Sequence, residues 1–289
     1  MNVLSLFDGM SCGQIALERV GIKVDNYFAS EIDKYAMKVA QHNYPNTQHV
    51  GDVTQVKAED LPQIDLLIGG SPCQGFSFAG KGLNFDDPRS KLFFEFVRLL
   101  EECKPKYFLL ENVKMKKEYQ DIISKYLGVE PVLINSSLVS AHNRPRQYWH
   151  NIPNFEMPED RNIKLEDILI KQHKDIVVDD TVKPSVAENV IMNYYNICTS
   201  DKDFFTMKVK SGFSDNKVGL KKSPCLRAGN SSTYVKDGSC VRKMTPVEWE
   251  RLQTVPDDYT SAVSNTQRYK MLGNGWTVSV IEHIFKGLK

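Results

Sequence analysis

The chain has 289 residues, 41% hydrophobic, 25% charged and 10% aromatic, a composition that excludes a disordered or fibrous chain and leaves room for one large domain or two modest ones. No run of about 18 uncharged apolar residues occurs and the N-terminus opens directly on Asn2-Val3-Leu4-Ser5-Leu6-Phe7, which excludes a membrane-spanning helix and predicts a cytoplasmic protein. Cys12, Cys73, Cys103, Cys198, Cys225 and Cys240 form no C-x-x-C pair, so reduced thiols are expected rather than a zinc ribbon or a disulfide scaffold, and the formal net charge of +1 favours neither an acidic nor a basic partner.

In chain order, apolar runs at Val3–Phe7, Tyr27–Ser30, Ile64–Ile68, Tyr107–Leu110 and Val132–Ile134 predict buried strands. Helical periodicity over Cys12–Val20, Asp33–His42, Lys91–Glu102 and Lys116–Tyr126 places helices between them. This alternation predicts an α/β fold, a doubly wound and mostly parallel sheet, over residues 1–150. The rhythm stops there. Residues 151–241 are polar and irregular and read as a smaller inserted lobe. Thr245-Pro246-Val247-Glu248 then forms a capping box with proline at the first helical position, opening a helix through Leu252. A last amphipathic helix, about Trp276 to Leu288, would bury Val278, Ile281, Ile284 and Phe285 against the first domain, so 242–289 is read as a returning segment. Charge divides the same way: from Glu156 to Phe204 six basic residues face eleven acidic ones (net −5), and from Phe205 to Thr245 nine face two (net +7). A basic strip of this kind suits a nucleic-acid face or an ordinary solvated surface.

In an open parallel sheet, ligands sit beyond the carboxyl ends of the strands. Here those ends carry Asp8 and Gly9 leading through Ser11 and Gly13, then Glu31, Asp52, Gly69-Gly70-Ser71-Pro72-Cys73, and Glu111-Asn112. A glycine-containing turn followed by an acid after the second strand suits a nucleoside held by its ribose hydroxyls, while the lack of G-x-G-x-x-G disfavours a pyrophosphate. S-adenosylmethionine fits that pattern; taken singly, each acid also suits a turn or a cap. Cys73 lies among small polar neighbours, where a thiol is available as a nucleophile. Glu111, ending a buried strand, is a candidate proton donor or a helix-cap partner. Arg144 and Arg146 project to one side of an extended chain, as a planar, carbonyl-rich ligand requires or as surface arginines do.

In this order and spacing the motifs resemble the DNA (cytosine-5)-methyltransferases over nearly all of the chain outside 151–241. Phe7-Asp8-Gly9-Met10-Ser11-Cys12-Gly13 is similar to the family's cofactor turn, Glu31-Ile32 to its ribose and adenine segment, Asp52-Val53 to its adenine contact, Ser71-Pro72-Cys73-Gln74 to its catalytic loop, Glu111-Asn112-Val113 to its Glu-Asn-Val, Arg144-x-Arg146 to its paired arginines, and Leu272-Gly273-Asn274-Gly275-Trp276 to its final cofactor segment. Ser223-Pro224-Cys225-Leu226-Arg227 resembles a segment near the end of the target-recognition lobe.

The resemblance implies methyl transfer from S-adenosylmethionine to C5 of a cytosine flipped out of duplex DNA, through a covalent bond from Cys73 to C6, leaving S-adenosylhomocysteine. It makes Cys73, Glu111, Arg144 and Arg146 catalytic, with Glu111 on cytosine N3 and its amine, Arg146 on O2 and Arg144 orienting the loop around Cys73. It assigns Phe7, Asp8, Gly9, Ser11, Gly13, Glu31, Ile32, Asp52, Val53, Pro72, Leu92, Asn274, Gly275 and Trp276 to the cofactor, and Gln74, Ser77, Arg89 and Arg227 to DNA. No metal is implied. A monomeric prokaryotic or phage-encoded protein is expected, with double-stranded DNA as partner and restriction-modification as its setting. Three departures stand out: His142 where the family has glutamine, Ile32 where it has an aromatic, and Gly275-Trp276 where Ser-Val is common. The Phe-Asp-Gly opening and Trp276 are nearer the eukaryotic de novo branch. Two other readings remain at this point: a tRNA-directed enzyme of the same family, although no Cys-Phe-Thr tripeptide occurs, and a silent regulator, although Cys73, Glu111, Arg144 and Arg146 are all present.

Overall fold

Strands that are apolar on both faces need cover on both faces, and the first half of the chain supplies it. The computed structural model describes residues 1–71, 88–170, 206–209, 218–219, 221–223, 225–226, 228, 232–237 and 240–289. Among them, β1 (Asn2–Leu6), β2 (Asn26–Ser30), β3 (Gln48–His49), β4 (Leu66–Gly69), β5 (Tyr107–Val113), β6 (Val132–Asn135) and β7 (Pro145–His150) form one sheet in the order β3-β2-β1-β4-β5-β7-β6. β1 pairs in parallel with β2 and β4, and β4 with β5, so the order reverses at β1 and opens a crevice there. The helices α1 (Cys12–Arg19), α2 (Lys34–Asn43), α3 (Pro88–Cys103) and α4 (Lys117–Leu127) fall in the expected gaps, and a one-turn helix, α5 (Leu165–Ile168), follows the sheet.

Alternation along the strands divides the core. Val3, Leu66, Ile68 and Leu109 pack into a cluster with Ile15, Leu17, Ile281 and Phe285, while Leu4, Leu6, Leu67, Phe108 and Leu110 pack with Phe93, Phe96, Ile123 and Trp149. The sheet is therefore doubly wound.

Two expectations are corrected. β5 does not stop at Leu110 but continues through Glu111 to Val113, because β7, which the apolar pattern did not reveal, lies antiparallel against it from Leu109↔His150 to Val113↔Arg146. In addition, the region expected to be irregular contains β8 (Thr206–Val209), β9 (Val218–Gly219), β10 (Ser232–Asp237) and β11 (Cys240–Lys243), an antiparallel sheet in the order β11-β10-β8-β9. β11 runs across position 241, where the boundary of the lobe was expected.

The chain then enters α6 (Pro246–Leu252) through the expected capping box: Thr245 Oγ1 accepts from Glu248 N at 3.2 Å, and Glu248 Oε2 accepts from Thr245 N at 2.8 Å. Next come α7 (Asn265–Asn274) and α8 (Val278–Phe285). Val278, Ile281, Ile284 and Phe285 are all buried, and α8 packs on α1, with Arg19 reaching Glu282 at 3.8 Å. α8 starts later than expected because Thr277 takes the N-cap position just after Gly275 caps the end of α7.

Candidate active site

β1 ends in a tight turn in which Phe7, Gly9 and Ser11 have φ of 56°, 60° and 62°. For Phe7 and Ser11 the left-handed region is unfavourable, so the turn needs support. Asp8 provides it: its carboxylate accepts from Tyr27 Oη at 2.7 Å and from the Ser11 hydroxyl, with the oxygens turned inward although the residue keeps some exposure. Burial pushes the Asp8 carboxyl up to about 6, against the hydroxyls of Ser11, Ser5 and Tyr27, which hold it down. Glu31 then joins the end of β2 to this turn, with Oε2 accepting from Gly9 N at 2.8 Å and Oε1 from Ile32 N and Asp33 N, both at 2.8 Å. Gly13 lets α1 close on the sheet, since a Cβ there would lie 2.4 Å from Ile68 Cδ1.

Beside Glu31, the Ile32 side chain is 76% exposed, an uncovered apolar surface. Asp52 Oδ1 accepts from Thr54 N at 2.9 Å and caps a short helical turn, Val53–Gln55. Val53 is buried against the α3 side of the core and Leu92 is half-buried on the same cluster, so neither apolar side chain is bare as Ile32 is. An exposed apolar platform next to an acceptor-rich carboxylate and a glycine turn fits a nucleoside. About four lone-pair sites are available on Glu31 and three are in use, so holding two ribose hydroxyls requires one of its backbone bonds to yield.

At the other end of the crevice, the β5–β7 register places Glu111 opposite Tyr148 and Val113 opposite Arg146, so Glu111 and Arg146 share a face one diagonal step apart. Arg146 Nε lies 3.0 Å from Glu111 Oε1, with the two side chains only 12% and 11% exposed. Trp276 Nε1 donates to Glu111 Oε2 at 3.1 Å. Asn112 Nδ2 donates to Ser71 Oγ at 3.2 Å, which fixes the chain beside Glu111 just before it enters 72–87.

The two arginines, expected to serve one ligand together, have different surroundings. Arg144 is 3% exposed and donates to Leu226 O at 3.1 Å, Gly273 O at 3.2 Å and Gly275 O at 2.9 Å. It ties the segment at Leu226 and the turn from Gly273 to Gly275 to the start of β7. Burial lowers its guanidinium from the usual range, and Arg146 lowers it further. Burial also opposes the charge of Arg146, but Glu111 turns that balance upward. Cys225 Sγ lies within 3.5 Å of Arg144 Nη1 and 3.8 Å of Arg146 Nη2. His142 Nε2 accepts from Leu226 N at 2.9 Å, so the residue that departs from the family's glutamine holds the same lobe segment.

Not every cation of the basic strip faces outward. Lys222 Nζ donates to the carbonyls of Ser137, Ser140 and Ile163 at 2.7, 3.1 and 2.6 Å, and Lys243 lies 4.5 Å over the Tyr269 ring. Pro72, Cys73, Gln74, Ser77 and Arg227 lie outside the described residues, as does the side chain of Arg89 at the start of α3; Asn274 is exposed at the end of α7. The bond from Trp276 to Glu111 was not foreseen, nor was the place of Cys225, because both join residues far apart in the chain. Among the described residues, no cluster of His, Cys, Asp and Glu has the makings of a metal site, and no helix is long and apolar enough to cross a membrane.

The model of the C-5 cytosine-specific DNA methylase family matches residues 1–289. Among curated proteins, the type II methyltransferase M1.ScrFI of Lactococcus lactis subsp. cremoris is 33% identical over 98% of this chain and 76% of its own length. M.NgoBI of Neisseria gonorrhoeae, also a type II methyltransferase, is 33% identical over 97% of this chain and 90% of its own. Among solved structures, a mutant of Spodoptera frugiperda DNMT2 superposes with a TM-score of 0.71 at 20% identity over 99% of each chain, a likeness of fold. With the family model spanning the whole sequence, the chain belongs to the C-5 cytosine-specific DNA methylase family.

Proposed function

We propose that this protein methylates C5 of a cytosine flipped out of duplex DNA, with S-adenosylmethionine as methyl donor, as the modifying partner in a restriction-modification system of a prokaryotic or phage-infected cytoplasm. The observation that carries this reading is the Glu111–Arg146 pair, 3.0 Å apart near the end of β5 and the start of β7 and beside the anchored entry to the Cys73 segment.

The donor would lie along the β1 and β2 ends, with Glu31 on its ribose, Ile32 against its adenine, and the turn from Phe7 to Gly13 and the segment from Asn274 to Trp276 around its amino-acid end. Bound there, it supplies a methyl group activated on a sulfonium. Cytosine C5 is too weak a nucleophile to take that methyl directly, so the ring is first activated by addition at C6. Cys73 supplies the thiolate. Glu111 holds cytosine N3 and the exocyclic amine and provides the N3 proton as the C6 bond forms, while Arg146 accompanies it on O2. With N3 protonated, the electrons of the new adduct collect at C5. After methylation a base takes the C5 proton, the C5–H electrons form the C5=C6 double bond as Cys73 leaves C6 as thiolate, and the N3 proton returns to Glu111, releasing 5-methylcytosine. Arg144 acts at one remove, holding the walls of the site together through carbonyls.

The reading is tested by incubating the purified protein and its Cys73→Ser variant with tritiated S-adenosylmethionine and either duplex DNA or tRNA. Label is expected in DNA with the native protein alone. Equal labelling of DNA by the variant, or labelling confined to tRNA, overturns it.

A further inference from the structure

We propose that Trp276 is a positioning residue for Glu111. Its indole N–H fixes the carboxylate in the orientation from which it meets the cytosine. The inference rests on the reading of Glu111 as the group that engages cytosine N3, and it gives a task to the residue at which this chain departs from its family's usual Ser-Val.

The geometry leaves the carboxylate little freedom. Arg146 Nε lies 3.0 Å from Oε1, and Trp276 Nε1 donates to Oε2 at 3.1 Å. With a donor on each oxygen, rotation of the carboxylate breaks both bonds at once. A carboxylate offers about four lone-pair sites, so the two that remain suffice for a protonated N3 and an exocyclic amine.

Trp276 is itself held. The carbonyl of Gly275 accepts from Arg144 Nη2 at 2.9 Å and from Gln253 Nε2 at 3.0 Å, and the Trp276 carbonyl lies 3.8 Å from Cys12 Sγ. The next residue, Thr277, donates from Oγ1 to Gln253 Oε1 at 2.8 Å. The ring is thus delivered to Glu111 by a backbone anchored on both sides.

Gly70 supplies the space. A Cβ at that position would lie 2.9 Å from Trp276 Nε1 and 3.2 Å from Glu111 Oε2, wedged into the bond between them. The chemistry of indole suits the task as well. Its N–H donates and never accepts, so it orients the carboxylate without competing for the proton that Glu111 exchanges with N3. A serine or histidine in its place would add an acceptor beside that proton.

The test uses the full chain labelled with ¹⁵N at its three tryptophans, whose indole signals are assigned by Trp276→Phe. Glu111→Gln is expected to move the Trp276 signal and leave those of Trp149 and Trp249 in place; an unmoved Trp276 signal overturns the proposal. Kinetically, replacing Trp276 by its benzothienyl isostere, which keeps shape and backbone but lacks the N–H, is expected to lower kcat about tenfold or more, with KM for DNA changed less than about twofold and the urea midpoint unchanged. Gly70→Ala, which leaves the indole present but pushes it from the carboxylate, is expected to lower kcat in the same way. Full kcat in the isostere overturns the proposal while the methyl-transfer reading stands, provided that Glu111→Gln abolishes methylation. Full methylation by Glu111→Gln removes the reading itself.

Discussion

On the β1–β2 side of the crevice, the bonds that shape the site join residues close in sequence: Tyr27 to Asp8 across 19 positions and Glu31 to Gly9 across 22. On the β4–β5–β7 side they reach across the molecule: Trp276 to Glu111 spans 165 positions, Arg144 to Gly275 spans 131 and Arg144 to Leu226 spans 82. The first side is closed chiefly by one βαβ unit and its own loops, with two long reaches to its turn, from Tyr259 Oη to Met10 O at 2.7 Å and from Cys12 Sγ to Trp276 O at 3.8 Å. The second brings Glu111 and Arg146 together within the sheet but is completed only once the segment at Leu226 and residues 273–276 have docked beside β7. Substitutions on the first side should therefore act locally, while those on the second should separate into groups that touch substrate and groups that hold the assembly.

Arg146 and Arg144 test that separation most directly. Arg146→Ala is expected to reduce the rate of methyl transfer about 100- to 1,000-fold, the usual effect of removing a charged donor from a reacting centre, with a near-native urea midpoint. Single-turnover transfer to duplex DNA measures it. Arg144→Ala should do the reverse in emphasis. It strips a buried guanidinium from the carbonyls of Leu226, Gly273 and Gly275, and about 3 kcal/mol of stability should be lost. Urea unfolding reads that loss, and Arg144→Lys should restore only part of it because one ammonium does not span the same carbonyls. Equal loss of stability from the two alanine variants would erase the distinction between a substrate-facing and an assembling arginine.

The same contrast explains what was legible in the sequence. The capping box at Thr245 and the apolar face of α8 are local or periodic signals, and each appears where it was expected, whereas Glu111 lies inside its strand rather than at its end. β7 was missed because its residues, Pro145-Arg146-Gln147-Tyr148-Trp149-His150, show no polar–apolar alternation: Gln147, Tyr148 and Trp149 are buried together between β5 and β6. α7 was missed for a related reason. Its polar residues hide a buried Arg268 that is neutralised by Glu250, 2.9 Å away and 18 positions earlier. Polar side chains satisfied by distant partners look like surface in a sequence, and the Glu111–Trp276 bond belongs to this class.

Asp8 offers a smaller and purely local effect. Its carboxyl is raised to about 6, mainly by burial, whereas in the unfolded chain it titrates near 3.8. Between those values the folded state holds the proton more tightly, so the group stabilises the fold most at low pH and its contribution falls as pH rises through about 6. Above that range the buried charge costs about 2 kcal/mol once partial exposure is discounted. Asp8→Asn should remove that slope. The difference in unfolding free energy between variant and native protein, followed from pH 4.5 to 7.5 as about the accessible window, is expected to shift in favour of the variant as pH rises. A flat difference would mean that the Asp8 carboxylate is not desolvated in the turn.

Ile32 should give the smallest change and the most confined. It is bonded through its backbone to Glu31 but its side chain touches little, being 76% exposed. If it forms one wall of the adenine site, enlarging it to a flat aromatic surface adds contact with the cofactor without disturbing any neighbour. Ile32→Trp is expected to tighten S-adenosylmethionine by about 0.5–1.5 kcal/mol, roughly two- to tenfold in Kd, leaving kcat and the Kd for DNA unchanged. Isothermal titration with the cofactor and, separately, with duplex DNA distinguishes the outcomes. A change in kcat would show that the β1–β2 side communicates with Glu111 across the sheet, and the local character argued for it would fail; a change in cofactor affinity alone would show that the two ends of the crevice are tuned independently.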